Sequence, residues 1–134
     1  MDQATLVEGQ LQDGEKLLAR LAQEGFPVTA ACWVHEGESG QWFLYIASPV
    51  VDVEGSMKAY RRALPLVLQM PQPFVIHPLE VKIIGTADAL AKDVAAARDR
   101  CPGKSPGWFR GDRLGNVSID GAYIYPPPVL TAAS

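Results

Sequence analysis

The feature that most constrains the fold of this chain is a pair of short segments that are apolar on both faces. VTAACWVH, from Val28 to His35, and WFLYIAS, from Trp42 to Ser48, are rich in residues that favour β-strands, and the polar EGESGQ between them is typical of a turn. They predict a β-hairpin. A strand with one solvent-exposed face has polar residues at alternate positions, whereas both sets of positions are apolar here. Either helices therefore cover both faces of the hairpin, or another chain covers one of them.

A helix is predicted before the hairpin, because apolar residues recur near helical spacing from Thr5 to Glu24. Gly25 ends this helix. Gly9 and Gly14 lie within it, and each glycine costs about 1 kcal/mol relative to alanine in a helix interior. The two glycines therefore indicate a weak helix that begins late or whose first turns fray.

A second helix is predicted after Pro49, with Asp52 as its N-cap. Its larger apolar residues have the spacing of a buried stripe: Met57, Tyr60, Leu64 and Leu68. Pro65 is expected to kink or interrupt this helix, because proline removes a backbone donor and crowds the preceding turn.

The second half of the chain predicts one strand, one helix and a hairpin. LEVKIIG is a short third strand, and Thr86 or Asp88 then caps an alanine-rich helix that ends before Cys101. A tight hairpin is predicted at Asp120-Gly121, since Asp-Gly suits turns in which both central residues have positive φ.

These elements predict an α+β fold, with a mainly antiparallel sheet of about five strands packed by three helices. The element order is α-β-β-α-β-α-β-β. We expect a single domain over residues 1–126 and a proline-rich tail over residues 127–134, where the prolines cannot donate ladder hydrogen bonds.

The composition suits one domain and indicates no membrane or secreted protein. With 134 residues, of which 48% are hydrophobic, the chain has enough apolar material for one ordinary core, and its net charge of −3 draws it to no polyanion. No apolar run approaches the roughly 18 residues of a membrane span, and the amino end lacks a signal peptide. We therefore expect a cytoplasmic protein with Cys32 and Cys101 as thiols.

Three parts of the sequence carry a resemblance to known proteins. EGQLQDGEKLLARLAQEGFPVTAACWVHEGESGQWFLYIASPVVD, AYRRAL and the later NVSIDGAYIY together resemble a group of small uncharacterised bacterial proteins. The resemblance covers most of the chain, but its motifs are structural. It implies a bacterial, cytosolic protein and no particular activity or catalytic residue.

The sequence contains no complete motif for a cofactor or a metal ion. Gly103-Lys104-Ser105 suggests a phosphate loop, but Arg98 stands where that motif has its first glycine and Pro106 stands where its helix begins. Cys32 and His35, three positions apart on a strand, point to opposite faces and cannot form a ligand pair. We therefore expect neither a cofactor nor a bound metal.

One set of residues suggests a metal-dependent nuclease. Such enzymes hold Mg²⁺ with an acidic residue on one strand and an acidic-x-Lys motif on the next, as Asp52, Glu80 and Lys82 would do here. However, a predicted helix lies between Asp52 and Glu80. Alternate polar positions on a half-exposed strand explain Glu80 and Lys82 equally well.

A local basic segment is the remaining candidate for binding. Residues 98–113 contain five basic and two acidic residues, and Trp108 and Phe109 beside them could stack on nucleic-acid bases or anchor a protein interface. Residues 1–24 have the opposite balance, with five acidic and two basic residues. Such patches permit pairing within the chain, head-to-tail association or partner binding.

The leading hypothesis is a non-catalytic interaction domain, either a homodimer or an accessory subunit of a bacterial cytosolic assembly. Surplus aromatic residues and the lack of a catalytic set favour it. The interface candidates are Trp33, Trp42, Tyr45, Trp108, Arg110, Arg113, Tyr123 and Tyr125. The alternatives are a nucleic-acid-associated protein, including the nuclease above, and a small-ligand sensor with a pocket between the hairpin and the helices.

Overall fold

Four helices and a six-stranded sheet form the part of the chain that the computed structural model describes, residues 8–37, 40–99, 108–109 and 113–125. In chain order the elements are α1 (Glu8–Gln23), β1 (Ala30–Glu36), β2 (Trp42–Ala47), α2 (Pro49–Glu54), α3 (Ser56–Leu68), a 3₁₀ turn (Pro78–Glu80), β3 (Val81–Ile84), α4 (Ala89–Asp99), β4 (Trp108–Phe109), β5 (Arg113–Leu114) and β6 (Val117–Ile124). The predicted α+β class is confirmed, but the element order and the strand count differ. The predicted tail lies outside the described residues.

The predicted hairpin is the centre of the sheet. Strands follow the order β3-β2-β1-β6-β4, and β5 pairs with β6. β1 and β2 are antiparallel, with Cys32 opposite Tyr45 and Trp33 opposite Leu44. β6 lies antiparallel along the other edge of β1, whereas β3 runs parallel to β2. The sheet is therefore mostly antiparallel, with one parallel pair.

Helices of the same chain cover both faces of this hairpin. On one face, α1, α3 and the sheet share an apolar cluster that includes Leu17, Leu18, Trp33, Leu44 and Val67. On the other face, α4, β5 and the sheet share a second cluster, the α4-side cluster, which includes Cys32, Val34, Leu90, Val94 and Leu114. Burial of each large apolar side chain contributes roughly 1.5–3 kcal/mol, so the two clusters account for a two-sided apolar hairpin without a second chain.

A buried hydrogen-bond chain ties α1 to the sheet. The Trp33 indole Nε1–H donates to Tyr125 Oη over 2.9 Å, and the Tyr125 hydroxyl donates to the backbone oxygen of Leu11 over 2.8 Å. Gly14 makes this approach possible, because a Cβ at that position would lie 2.1 Å from Tyr125 Oη. Gly14 is therefore a contact residue within a helix that is continuous from Glu8 to Gln23.

The predicted second helix is two helices, and the break is at Gly55 instead of Pro65. Gly55 has φ +92°, a conformation that glycine adopts at little cost, and it separates α2 from α3. Pro65 lies inside α3. The predicted cap was also wrong: Ser48 caps α2 by accepting a hydrogen bond from Val50 N at 3.1 Å, and Asp52 lies within α2.

The predicted hairpin at Asp120-Gly121 was wrong, because β6 continues through both residues. The turn lies at Gly115 and Asn116, which join β5 to β6 with Leu114 opposite Val117. Gly115 has φ +59°, and a Cβ there would lie 2.4 Å from the backbone nitrogen of Leu90.

Asp120 is an extra residue in β6, since Gly121 pairs with His35 and Ile119 pairs with Glu36. Asp-Gly here marks a β-bulge.

Two side-chain contacts complete the framework. The N-cap of α4 is Asp88, one of the two predicted residues. It accepts a hydrogen bond from Leu90 N at 2.9 Å. At the outer edge of β3, the Tyr60 hydroxyl of α3 accepts a hydrogen bond from Ile83 N at 2.9 Å. α3 is therefore attached to the sheet by a polar contact as well as by apolar packing.

Gly14→Ala is expected to lower the free energy of unfolding by about 1–3 kcal/mol, because the new methyl group displaces the Tyr125 hydroxyl from its two partners. Gly9→Ala is the matched control, since no atom lies within 4 Å of a Cβ at Gly9. We expect that variant to be as stable as the wild type or more stable, by up to about 1 kcal/mol. Urea denaturation measures both, and equal effects at the two glycines would contradict the close approach.

Candidate functional site

Four of the predicted interface residues are buried inside the chain. Trp33 and Tyr125 are 0% and 1% exposed, and Tyr45 and Trp42 are 7% and 9% exposed. Burial raises the pKa of the Tyr125 hydroxyl above its usual value. The core therefore accounts for these aromatic residues, and their number no longer argues for a partner.

The other four predicted interface residues lie near β6 or outside the described residues. Tyr123 is partly buried and packs edge-on against Tyr125, with 5.4 Å between ring centroids. Arg113 is exposed in β5. The backbone of Trp108 pairs with Tyr123. Arg110 and most of the basic segment lie outside the described residues, so a binding role for that segment stays a prediction.

Each residue of the proposed nuclease set has a separate partner in the framework. Asp52 accepts hydrogen bonds from the Thr86 hydroxyl at 2.6 Å and from Thr86 N at 2.9 Å, and these bonds lower the pKa of its carboxyl group. Glu80 accepts a hydrogen bond from His77 N at 3.0 Å and so closes the 3₁₀ turn. Asp52 and Glu80 thus each secure a different loop.

Lys82, the third member of that set, covers aromatic rings at the end of the sheet. Its Nζ lies 4.1 Å from the ring centroid of Phe43 and 3.3 Å from Glu36 Oε2. The Tyr45 hydroxyl donates to the same carboxylate, and burial, followed by this hydrogen bond, raises the pKa of Tyr45 above its usual value. Lys82 therefore neutralises Glu36 and shields an apolar surface.

The described residues do not form a metal site. No group of three or more His, Cys, Asp or Glu residues in the described ranges could hold a metal ion. Cys32 is 1% exposed in the α4-side cluster, and burial raises the pKa of its thiol to about 12. His35 stacks against Trp42 with 5.1 Å between ring centroids. These two side chains serve the interior.

Only the two ends of the predicted buried stripe of the second helix face outward. Tyr60 and Leu64 are partly buried against the apolar cluster of α1, α3 and the sheet, whereas Met57 and Leu68 are each 68% exposed. The fully buried residues of α3 are Ala59, Ala63 and Val67, at 0%, 1% and 4% exposure. The small alanines let α3 approach the sheet closely enough for the Tyr60 hydroxyl to bond to β3.

The outer side of α3 carries a shallow, open apolar depression that sequence reasoning missed. This depression, here termed the α3 groove, has a volume of about 590 Å³ and is lined by residues of α3 alone: Ser56, Met57, Tyr60, Arg61, Leu64, Pro65 and Leu68. The sequence signal was available, because α3 has two apolar stripes and only one of them can face the sheet. The second stripe then needs another explanation.

The exposed apolar surface extends beyond α3. The exposed large hydrophobic residues of the described chain all lie in one segment, residues 53–79: Val53, Met57, Leu68, Val75 and Leu79. Leu68 lines both the α3 groove and a smaller hollow of about 260 Å³ that also includes Phe74 and Val75. The two hollows therefore adjoin at Leu68, whereas Leu79 lines a separate cleft.

Basic side chains border this surface. α3 contains Lys58, Arg61 and Arg62 and no acidic residue. Arg62 pairs with Glu54 at 3.3 Å, whereas the Arg61 guanidinium lies 3.6 Å from Met57 Sδ. Across the described ranges, no carboxylate forms an ion pair with Lys58 or Arg61. Two cations therefore remain beside the groove without a carboxylate partner in this part of the chain.

A separate cleft lies where the sequence placed a ligand pocket, between the hairpin and the helical segments. It has a volume of about 420 Å³ and is lined by Gln10, Gly40, Gln41, Trp42, Phe43, His77, Leu79 and Glu80. This volume lies in the range of small-molecule sites. The ligand-sensor hypothesis stays a prediction.

Comparison with known proteins does not assign this chain to a family. No protein-family model, no curated protein and no solved structure matches this chain. Among the helices of the described ranges, none combines the length and the hydrophobicity that crossing a lipid bilayer requires.

Asp52→Asn is expected to destabilise the protein at neutral pH and to have less effect in acid. The Thr86 hydrogen bonds lower the folded-state pKa of Asp52 below its usual 3.8, so this carboxylate stabilises the fold above that pH and loses its contribution as the pH falls. Thermal unfolding midpoints measured from pH 7 to pH 2.5 should differ between the wild type and Asp52→Asn at neutral pH and should converge below about pH 4. A constant difference across this range would contradict the ionised contact, and Thr86→Val should reduce the pH dependence.

Cys32 is expected to resist thiol reagents in the folded protein. With a pKa of about 12, only roughly one molecule in ten thousand carries the thiolate at pH 8, and the side chain is buried. In a Cys101→Ser variant, labelling by a thiol-reactive disulfide should proceed no faster than unfolding and should become rapid in denaturant. Fast labelling without denaturant would show that the α4-side cluster opens readily.

Proposed function

We propose that this chain is a protein-interaction domain that binds a partner polypeptide through the outer face of α3. The observation that supports this proposal is the orientation of α3. Its small residues, Ala59 and Ala63, face the sheet, and its larger Met57 and Leu68 face outward. A helix that only completed a core would be expected to bury its larger apolar residues.

The distribution of exposed apolar residues supports the same proposal. Single exposed hydrophobic residues are common on monomeric proteins, but a contiguous apolar patch marks an interaction site. Three of the five exposed large hydrophobic residues of the described chain, Met57, Leu68 and Val75, line two hollows that adjoin at Leu68. Burying a side chain such as Met57 or Leu68 contributes roughly 1.5–3 kcal/mol before the entropy of association is subtracted.

The contacts of the candidate catalytic residues favour this proposal over the nuclease. Asp52 bonds to the loop before α4, Glu80 bonds within its own 3₁₀ turn, and Lys82 pairs with Glu36. A catalytic set needs its groups directed at one reacting atom. These three side chains instead serve three parts of the framework.

The double variant Met57→Ser/Leu68→Ser tests the proposal. Both side chains are 68% exposed, so we expect the thermal unfolding midpoint to change little, whereas partner recovery with the tagged chain from its own cells should fall at least about tenfold. The matched control is Ala19→Ser/Ala96→Ser, which alters exposed positions on α1 and α4. If the double variant and the control recover the same proteins in the same amounts, the α3 surface is not the binding site.

A further inference from the structure

The charge beside the α3 groove indicates the chemistry of its occupant. We infer that the occupant is an amphipathic helix of a different protein, with acidic residues beside its apolar anchors. This inference rests on the proposed function and adds the class of partner. It depends on two observations, the exposed large hydrophobic residues Met57 and Leu68 that line the groove and the charge of α3.

Among the described residues, a second copy of the chain offers only segment 53–79 to the groove. The apolar residues Leu17, Leu18 and Leu21 of α1 are 0–1% exposed and cannot enter it. The exposed large hydrophobic residues of the described chain all belong to residues 53–79. Pairing of the α3 groove with the same groove of a second copy would be a two-fold contact.

Such a two-fold contact would bring like charges together. Arg61 lies near the middle of α3 and lines the groove, and Lys58 is exposed one turn before it. Two antiparallel α3 helices would face each other with these cations and without an acidic residue on either helix. Like-charge juxtaposition across an interface opposes association, so the groove disfavours its own copy and suits an acidic partner.

The length of the groove suits a helix. Its lining residues recur every three or four positions from Ser56 to Leu68, along the whole of a helix of 13 residues. At 1.5 Å per residue this is roughly 20 Å, which matches a partner helix of about three to four turns with anchors at i, i+4 and i+7. Carboxylates beside these anchors would pair with Lys58 and Arg61.

An anionic membrane surface is the other class of apolar, acidic partner. Membrane-associated helices insert a continuous projecting apolar face into the lipid. Here Tyr60 and Leu64, at the centre of the stripe, are partly buried, and the strongly exposed large apolar side chains are Met57 and Leu68 at its two ends.

Site-specific photo-crosslinking in the native cells tests this inference. The photoreactive residue p-benzoylphenylalanine replaces Leu68 in the groove or, as the matched control, Ala19 on the exposed face of α1. Crosslinked peptides are then sequenced by mass spectrometry. We expect position 68, but not position 19, to capture a segment of another protein with apolar residues at helical spacing and Asp or Glu beside them.

Charge-reversal variants of the full chain then test the predicted ion pairs. A synthetic peptide with the captured sequence should bind the wild type, and Lys58→Glu/Arg61→Glu should weaken its affinity at least about tenfold. Lys92→Glu, at an exposed position on α4, is the control and should leave the affinity unchanged. An affinity that is unchanged in the double variant would overturn the charge argument.

The outcomes separate this inference from the proposed function. Capture of a second copy, or of a segment with basic flanks, would overturn the partner class and leave a protein-binding groove. Binding to phosphatidylglycerol/phosphatidylcholine vesicles that is lost in Met57→Ser/Leu68→Ser, with no captured protein, would overturn both in favour of a lipid surface. No crosslink at position 68 above the control at position 19 would also overturn both.

Discussion

The fold depends on one constraint, a central hairpin whose two strands must be buried on both faces. α1 and α3 cover one face, and α4 with β5 covers the other. A helix committed to the sheet on one side still has an opposite side that must meet water or another molecule. For α1 that side is polar, whereas for α3 it is apolar, and this difference makes α3 the functional candidate.

Much of the fold could be predicted from the sequence, because spacing and strand propensity are local signals. The hairpin, β3, the cap of α4 and the α+β class follow from them. The position of the last turn does not, since Asp120-Gly121 suits a β-bulge as well as a tight turn. Periodicity also could not show which stripe of α3 faces the sheet, because both repeat at helical spacing. The small volumes of Ala59 and Ala63 settle that orientation through packing.

The candidate site was harder to predict than the fold. A large aromatic residue with a polar tip suits a buried network and a binding surface equally well. Trp33 and Tyr125 became interface candidates for that reason, although their polar atoms bond to each other inside the chain. The surface that does stand out carries Met57 and Leu68, which the sequence had assigned to the core.

The contact between Tyr60 and Ile83 has a consequence for how copies of this chain can meet. Exposed edge strands are templates on which other chains add strands, and this can continue into ribbons or fibres. Here the edge amide of Ile83 is already bonded to the Tyr60 hydroxyl. Backbone templating therefore gains little at the β3 edge of the sheet. The proposed recognition through α3 depends on side chains instead, which can be selective in a way that a bare strand edge cannot.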